Sequence, residues 1–343
     1  ALRSPYQEQR DAVYGRIPLP VIGDLLKKRL AFTLLILLLR TNLISAGPAE
    51  EGAIHGYFTA PRVGETRVIS TTFLDDPFVN TQSSLALGYG KSSNIVTPLI
   101  EIDGDPVVGL EGELIFATLL FQYRYAVRDW VAVWGQLNIA ARLGNEIQTM
   151  LVQGVNAATG FEVGWLFRLY ESEKHLLSTG ISVRDGSATI IDVAGWAEGV
   201  VEGENVELVR KSPTLGTIGD MRYIYAANDF TAFQFLGQLA YGESIERSRE
   251  NEFNYGLGGL VSLDFSKKTS HPVGLALGYK YTTIPDGADE IIDDIQSALI
   301  GISYTGRPDF SIGLDLEFQR LPVKGIEDPA SFFSAIISMR YFF

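Results

Sequence analysis

Residues Phe310-Ser311-Ile312-Gly313-Leu314-Asp315-Leu316-Glu317-Phe318-Gln319 alternate apolar with polar or small side chains without a break. Successive side chains of an extended chain point to opposite faces. Phe310, Ile312, Leu314, Leu316 and Phe318 therefore share one face, and Asp315, Glu317 and Gln319 the other. The same alternation runs through 252–265, where Phe253, Tyr255, Leu257, Val261, Leu263 and Phe265 oppose Asn254, Leu260, Ser262 and Asp264. It returns at Phe161/Val163/Trp165/Phe167/Leu169, Phe233/Phe235/Leu239/Tyr241 and Val273/Leu275/Leu277/Tyr279/Tyr281. Over the whole chain it predicts twelve strands, at 83–91, 112–126, 129–142, 160–170, 176–184, 216–226, 230–242, 252–265, 272–283, 296–305, 309–320 and 332–343. Most exceed the five or six residues usual in soluble sheets and reach the roughly 9–11 that a tilted strand needs to cross a bilayer.

The predicted connections alternate in length. Long ones fall at 92–111, 143–159, 185–215, 243–251, 284–295 and 321–331, and short ones near Val127-Arg128, Glu171–His175, Ala227–Asp229, Ser266–His271 and Gly306–Pro308. Membrane barrels sort their loops in this way, with short periplasmic turns and longer outer loops. The fold class expected is all-β, a transmembrane antiparallel up-and-down β-barrel of about twelve strands at 83–343. The number becomes fourteen if residues 47–82 add a strand pair. Those residues otherwise form a periplasmic hairpin or a plug in the lumen, from Gly56–Pro61 and Thr66–Leu74.

Composition agrees. The 343 residues hold no Cys, which excludes disulfides and thiolate metal sites, and 35 Gly with 19 Phe and 15 Tyr favour pleated, half-buried surfaces. A net charge of −13 argues against a nucleic-acid partner.

Lys27-Lys28-Arg29 precedes the apolar run Leu30–Leu39, and Ile44-Ser45-Ala46 follows, the layout of a secretory signal peptide with cleavage expected after Ala46. Ten apolar residues make only about 15 Å of helix, half of a hydrocarbon core. No Met occurs before Met150, and Leu26 stands directly ahead of the basic cluster. Residues 1–25 are therefore read as an upstream extension and 26–46 as the signal peptide. Loss of 1–46 removes seven basic and three acidic residues, leaving 21 basic and 38 acidic, a net charge of −17.

The last predicted strand places Phe333, Ala335, Ile337, Met339, Tyr341 and Phe343 on one face. This resembles the terminal strand of Gram-negative outer-membrane barrels, in which alternating apolar residues and a final aromatic guide assembly. The resemblance implies an outer-membrane location, lipid and lipopolysaccharide around the barrel, and the barrel-assembly machinery as a partner reading Met339, Tyr341 and Phe343. A segment ahead of the barrel is also similar in position to the hatch of outer-membrane carriers of hydrophobic compounds.

If the apolar phase faces lipid, the other phase lines the lumen. Its charged members are Arg124, Arg142, Glu162, Arg168, Arg184, Asp220, Arg222, Asp264, Lys280, Asp315, Glu317 and Arg340. They form either a selectivity lining or a network of ion pairs filling a narrow barrel. Loops 143–159 and 185–215 are unusually apolar, and Met150, Leu151, Ile191 and Trp196 are candidates for an apolar access site or for a cap of loops packed on one another.

Enzyme signals are thin. Gly90-Lys91-Ser92 lacks the earlier Gly of a phosphate loop, there is no G-x-S-x-G, and His175 and His271 fall in predicted short turns. No catalytic residue, metal or cofactor is expected. Two main readings remain, a passive channel or transporter for small solutes, hydrophobic ones included, and a non-conducting structural or surface-interaction barrel, with an outer-membrane enzyme of carboxylate-only mechanism as a minor alternative.

Overall fold

The computed structural model describes residues 60–93, 95–102, 105–143, 154–191, 209–243, 251–269, 271–283, 294–321 and 330–343. The first elements are a two-stranded ladder, β1 (Arg62–Val63) and β2 (Thr66–Arg67), turned at Gly64, whose φ of +58° suits glycine. β3 (Gln82–Ser92) is followed by a separate hairpin, β4 (Ile95–Ile102) and β5 (Asp105–Gly112). Eleven more strands complete the order: β6 (Ile115–Arg128), β7 (Val131–Leu143), β8 (Gly154–Glu171), β9 (His175–Ile191), β10 (Val209–Asn228), β11 (Thr231–Glu243), β12 (Asn251–Asp264), β13 (Val273–Thr283), β14 (Asp294–Tyr304), β15 (Phe310–Leu321) and β16 (Ala330–Phe342).

β3 and β6 to β16 pair antiparallel into one closed barrel, β16 meeting β3 and β9 meeting β10. The barrel has twelve strands, as alternation predicts, and β1 and β2 stay outside its wall. That disposes of the fourteen-strand alternative. Closure matters physically, because a sheet in lipid has no water to satisfy an open edge.

Three features depart from the sequence reading. β8, β9 and β10 run to 18, 17 and 20 residues, well into the stretches expected to be loops. Loop 92–111 contains the hairpin β4–β5. The first short turn lies slightly later than Val127-Arg128, at Asp129-Trp130, since Arg128 pairs with Val131.

The outer surface is the apolar phase. Leu257 is 59% exposed, Leu239 65% and Ile300 52%, with Leu277, Leu314 and Ile337 exposed beside them. A solvent-facing sheet would hide such residues, whereas hydrocarbon favours them. Near the short turns the outer face turns aromatic: His175 stacks on Tyr225 at 5.2 Å and on Tyr223 at 6.0 Å, and Phe310 meets Tyr341 at 4.8 Å. Such girdles mark where a barrel leaves the hydrocarbon. No helix among the described residues is long and apolar enough to cross a membrane.

Candidate functional site: the plugged mouth of the barrel

Residues 60–81 pack against lumen-phase residues of the wall near the short turns. Little of this segment has regular structure; its position is set by contacts with the wall. Two apolar clusters hold its flanks. Val63, Val68 and Phe78 pack with Leu176, Ile224, Ala226 and Ala232. Ile69, Phe73 and Leu74 pack with Leu236, Leu260, Ala276 and Leu299. These wall residues correct the simple rule that the lumen phase is polar: against the two flanks of this segment, that phase is apolar.

The wall is also cut back to admit the plug. A Cβ at Gly258 would lie 2.5 Å from Leu74 Cδ2, one at Gly278 2.9 Å from Phe73 Cδ1, and one at Gly274 would collide with Ile69 Cδ1. Glycine there provides room for the plug's side chains.

Between the apolar flanks lies a polar hub on Asp76. Its Oδ1 accepts from Arg124 Nη1 at 2.5 Å, and its Oδ2 from Arg340 Nη1 at 2.7 Å and Gln82 Nε2 at 3.2 Å. Its carbonyl accepts from Arg222 Nη1 at 2.9 Å, while Arg222 Nε and Nη2 grip both oxygens of Asp220 at 2.6 and 2.8 Å. The second carboxylate, Asp75, approaches Arg222 Nη2 at 3.8 Å. Arg124 and Arg340 also donate to the plug carbonyls of Phe78 (2.7 Å) and Thr71 (3.2 Å). Ser178 Oγ and Gln234 Nε2 donate to those of Pro77 (2.6 Å) and Asp75 (2.8 Å). Thr72 donates to Asp315 Oδ2 through N and Oγ1, both at 2.8 Å. Nearer the rim, Arg67 Nη1 donates to the carbonyls of Thr305 (2.5 Å) and Arg307 (3.0 Å), and Thr66 Oγ1 to that of Asn228 (2.6 Å).

Burial pushes the Asp76 carboxyl up, but Arg124 and Arg340, with hydrogen bonds from Arg124 and Gln82, pull it further down, well below the ordinary 3.8. A depressed folded value means that the stabilisation is complete above 3.8 and is lost only as pH falls through the group's own lower value. Amide protection across 68–78 is therefore expected to stay flat from neutrality down to about pH 4 and to collapse only in stronger acid. A collapse near pH 6 would contradict the hub.

All twelve charged candidates occupy the lumen phase of their strands, but they do different things. Arg124, Arg222, Asp220, Asp315 and Arg340 hold the plug. Glu162 and Arg184 pair with each other at 2.8 Å, and Glu162 also accepts from Ser182 Oγ at 2.6 Å. Asp264 accepts from Ser266 N (3.0 Å) and Thr305 Oγ1 (3.2 Å), fixing a short turn. Arg168 pairs with Glu171 and approaches Asp129 at 3.6 Å at the mouth. Glu317 accepts from Gln319 Nε2 at 2.6 Å, and Glu317, Lys280 and Arg142 are half-buried on the wall. Met150, Leu151 and Trp196 lie outside the described residues, and Ile191 ends β9 opposite Val209 and Gly154. Met339 pairs with Ile312 and Leu85, and Tyr341 and Phe343 are exposed on the outer face.

Asp76, Asp75, Thr72 and Gln82 were not legible as site residues. A signal was present: Asp75-Asp76 is an acidic doublet between Phe73-Leu74 and Pro77-Phe78, in a chain whose Arg124, Arg222 and Arg340 sit at the same ends of their strands.

No protein-family model and no curated relative matches the chain. Solved structures similar to it include an outer membrane channel from Pseudomonas putida F1 (12% identity, 81% of this chain and 100% of that one, TM-score 0.47). The KdgM porin in complex with disordered oligogalacturonate is also similar (10%, 75% and 99%, 0.40), as is the P. putida toluene transporter TodX (11%, 79% and 91%, 0.41). These are likenesses of architecture, the closed barrel of outer-membrane proteins, and carry nothing about cargo.

Proposed function

We propose that the chain is an outer-membrane channel for small solutes whose resting state is closed at the short-turn, periplasmic end by residues 60–81. The single observation that carries this reading is the hub on Asp76. A barrel with a purely structural role can fill its lumen with its own wall side chains. Here a separate segment is bonded to the wall through a buried carboxylate hub and packed on it through two apolar clusters, non-covalent contacts whose release would open the barrel without unfolding it. The apolar outer surface, the aromatic girdle and the loop asymmetry support a bilayer location, with residues 26–46 as the export signal. The charged residues above the plug serve as the lining that a solute meets.

Deletion of 61–78 tests this. Proteoliposomes holding the full chain are expected to swell slowly in small solutes, and those holding the deletion variant at least tenfold faster, with heat-modifiable migration retained. A folded deletion variant as tight as the full chain would favour the non-conducting barrel.

A further inference from the structure

The lumen wall carries one continuous row of hydrogen-bonding side chains that climbs from the hub as far as Arg184. Arg340, bonded to Asp76, pairs across β16 and β3 with Ser84, and Ser84 pairs with Gln122 on β6. Gln122 pairs with Gln136, Gln136 with Glu162, and Glu162 with Arg184. Beyond Arg184 the line of register runs on through Gly216 to Gly242, next to the end of β11 at the long-loop rim. Strands in a barrel tilt by about 40°, so a row perpendicular to them climbs. The five steps from Arg340 to Arg184, of about 4.8 Å each, give roughly 15 Å of axial rise, more than half the height of a membrane barrel's apolar band.

Burial changes along this climb. Arg340, Ser84, Gln122 and Glu162 are buried, Gln136 is half-buried, and the Arg184 side chain is 53% exposed to the lumen. The lower end thus lies by the plug and the upper end is open. Above the hub the charges on the row cancel, Arg184 pairing with Glu162, while Arg340 is paired with Asp76 only as long as the plug is docked. Between the two pairs stand only a hydroxyl and two amides, Gln122 Nε2 donating to Gln136 Oε1 at 3.3 Å. Beside Gln136 on the same face, Trp134 Nε1 is buried and has no hydrogen-bond partner among the described residues, a donor that a guest or water would satisfy.

We infer that this row is the solute track and that its solutes are neutral, polyhydroxylated molecules of sugar or polyol type. Uncompensated charged rings sort ions. A compensated row of amides and hydroxyls instead offers successive donors and acceptors that can replace a solute's water without favouring either sign of charge. A site built to hydrogen-bond hydroxyls discriminates against guests that lack them, because its own groups are then left unpaired. The inference rests on the channel reading above.

The test uses the full chain carrying Asp76→Ala to free the plug, with glucose swelling and KCl conductance measured side by side. Adding Gln122→Leu and Gln136→Leu is expected to slow glucose about tenfold while changing KCl conductance less than twofold, the loss of two hydrogen-bonding groups. Gln136→Leu alone, at a half-buried position, gives a smaller effect in the same direction and guards against misfolding of the double variant. Unchanged glucose flux, or glucose and salt falling together, would overturn the track. A plug-freed chain sealed to both probes would instead overturn the channel reading beneath it.

Discussion

Asp76→Ala is expected to unseat the plug. The substitution leaves Arg124 and Arg340 in a buried site without the carboxylate that both bind. Removing one partner of a buried ion pair costs about 3–5 kcal/mol, because the remaining charge is neither hydrated nor paired. Here a single removal strands two guanidinium groups. Displacing the plug lets water reach both, so the cost falls on the docked state alone. The ratio of docked to undocked plug should drop by roughly two to four orders of magnitude. Amide exchange across 68–78 should accelerate accordingly while the paired strands keep their protection. Asp76→Asn, which retains an acceptor but not the charge, should fall between the two. Exchange as slow in Asp76→Ala as in the parent would show that the apolar clusters around Phe73 and Phe78 hold the plug unaided.

The second large effect concerns the outer face. Ile300, midway along β14, is 52% exposed and flanked by Leu277 and Leu316 on the neighbouring strands. In lipid it meets hydrocarbon, so Ile300→Arg should destabilise the barrel by about 2–4 kcal/mol. The same substitution on the surface of a water-soluble sheet would change stability by less than about 0.5 kcal/mol. Reversible unfolding from phospholipid vesicles reads the difference. A neutral effect would remove the membrane from the account.

What was legible in the chain, and what was not, follows from the range of the interactions. Phe310 to Gln319 carries its own answer, because alternation is local and each residue's face is fixed by its neighbours. Loop lengths were legible for the same reason, with Asp229 and Gly306-Arg307-Pro308 punctuating short turns. The ends of β8 to β10 were hidden: Asp185-Gly186-Ser187 and Ser212-Pro213 are turn formers by local preference, yet Pro213 pairs with Ser187 and the ladder continues past both. The plug is the extreme case. Asp76 and Arg340 lie 264 residues apart, and nothing in the composition of either neighbourhood names the other. Leu236, Leu260 and Leu299 lie on the lumen phase, where they pack against Ile69, Phe73 and Leu74, a partnership no local pattern announces.

The central claim is that residues 60–81 shut a conducting barrel and that Asp76 holds them there. Its most direct test is the current through single molecules of the parent chain and of Asp76→Ala in the same planar bilayer. The account predicts a parent that is closed at rest, with brief openings at most, and an Asp76→Ala channel that stays open with a steady conductance. Equal currents from the two, whether both sealed or both open, would contradict it.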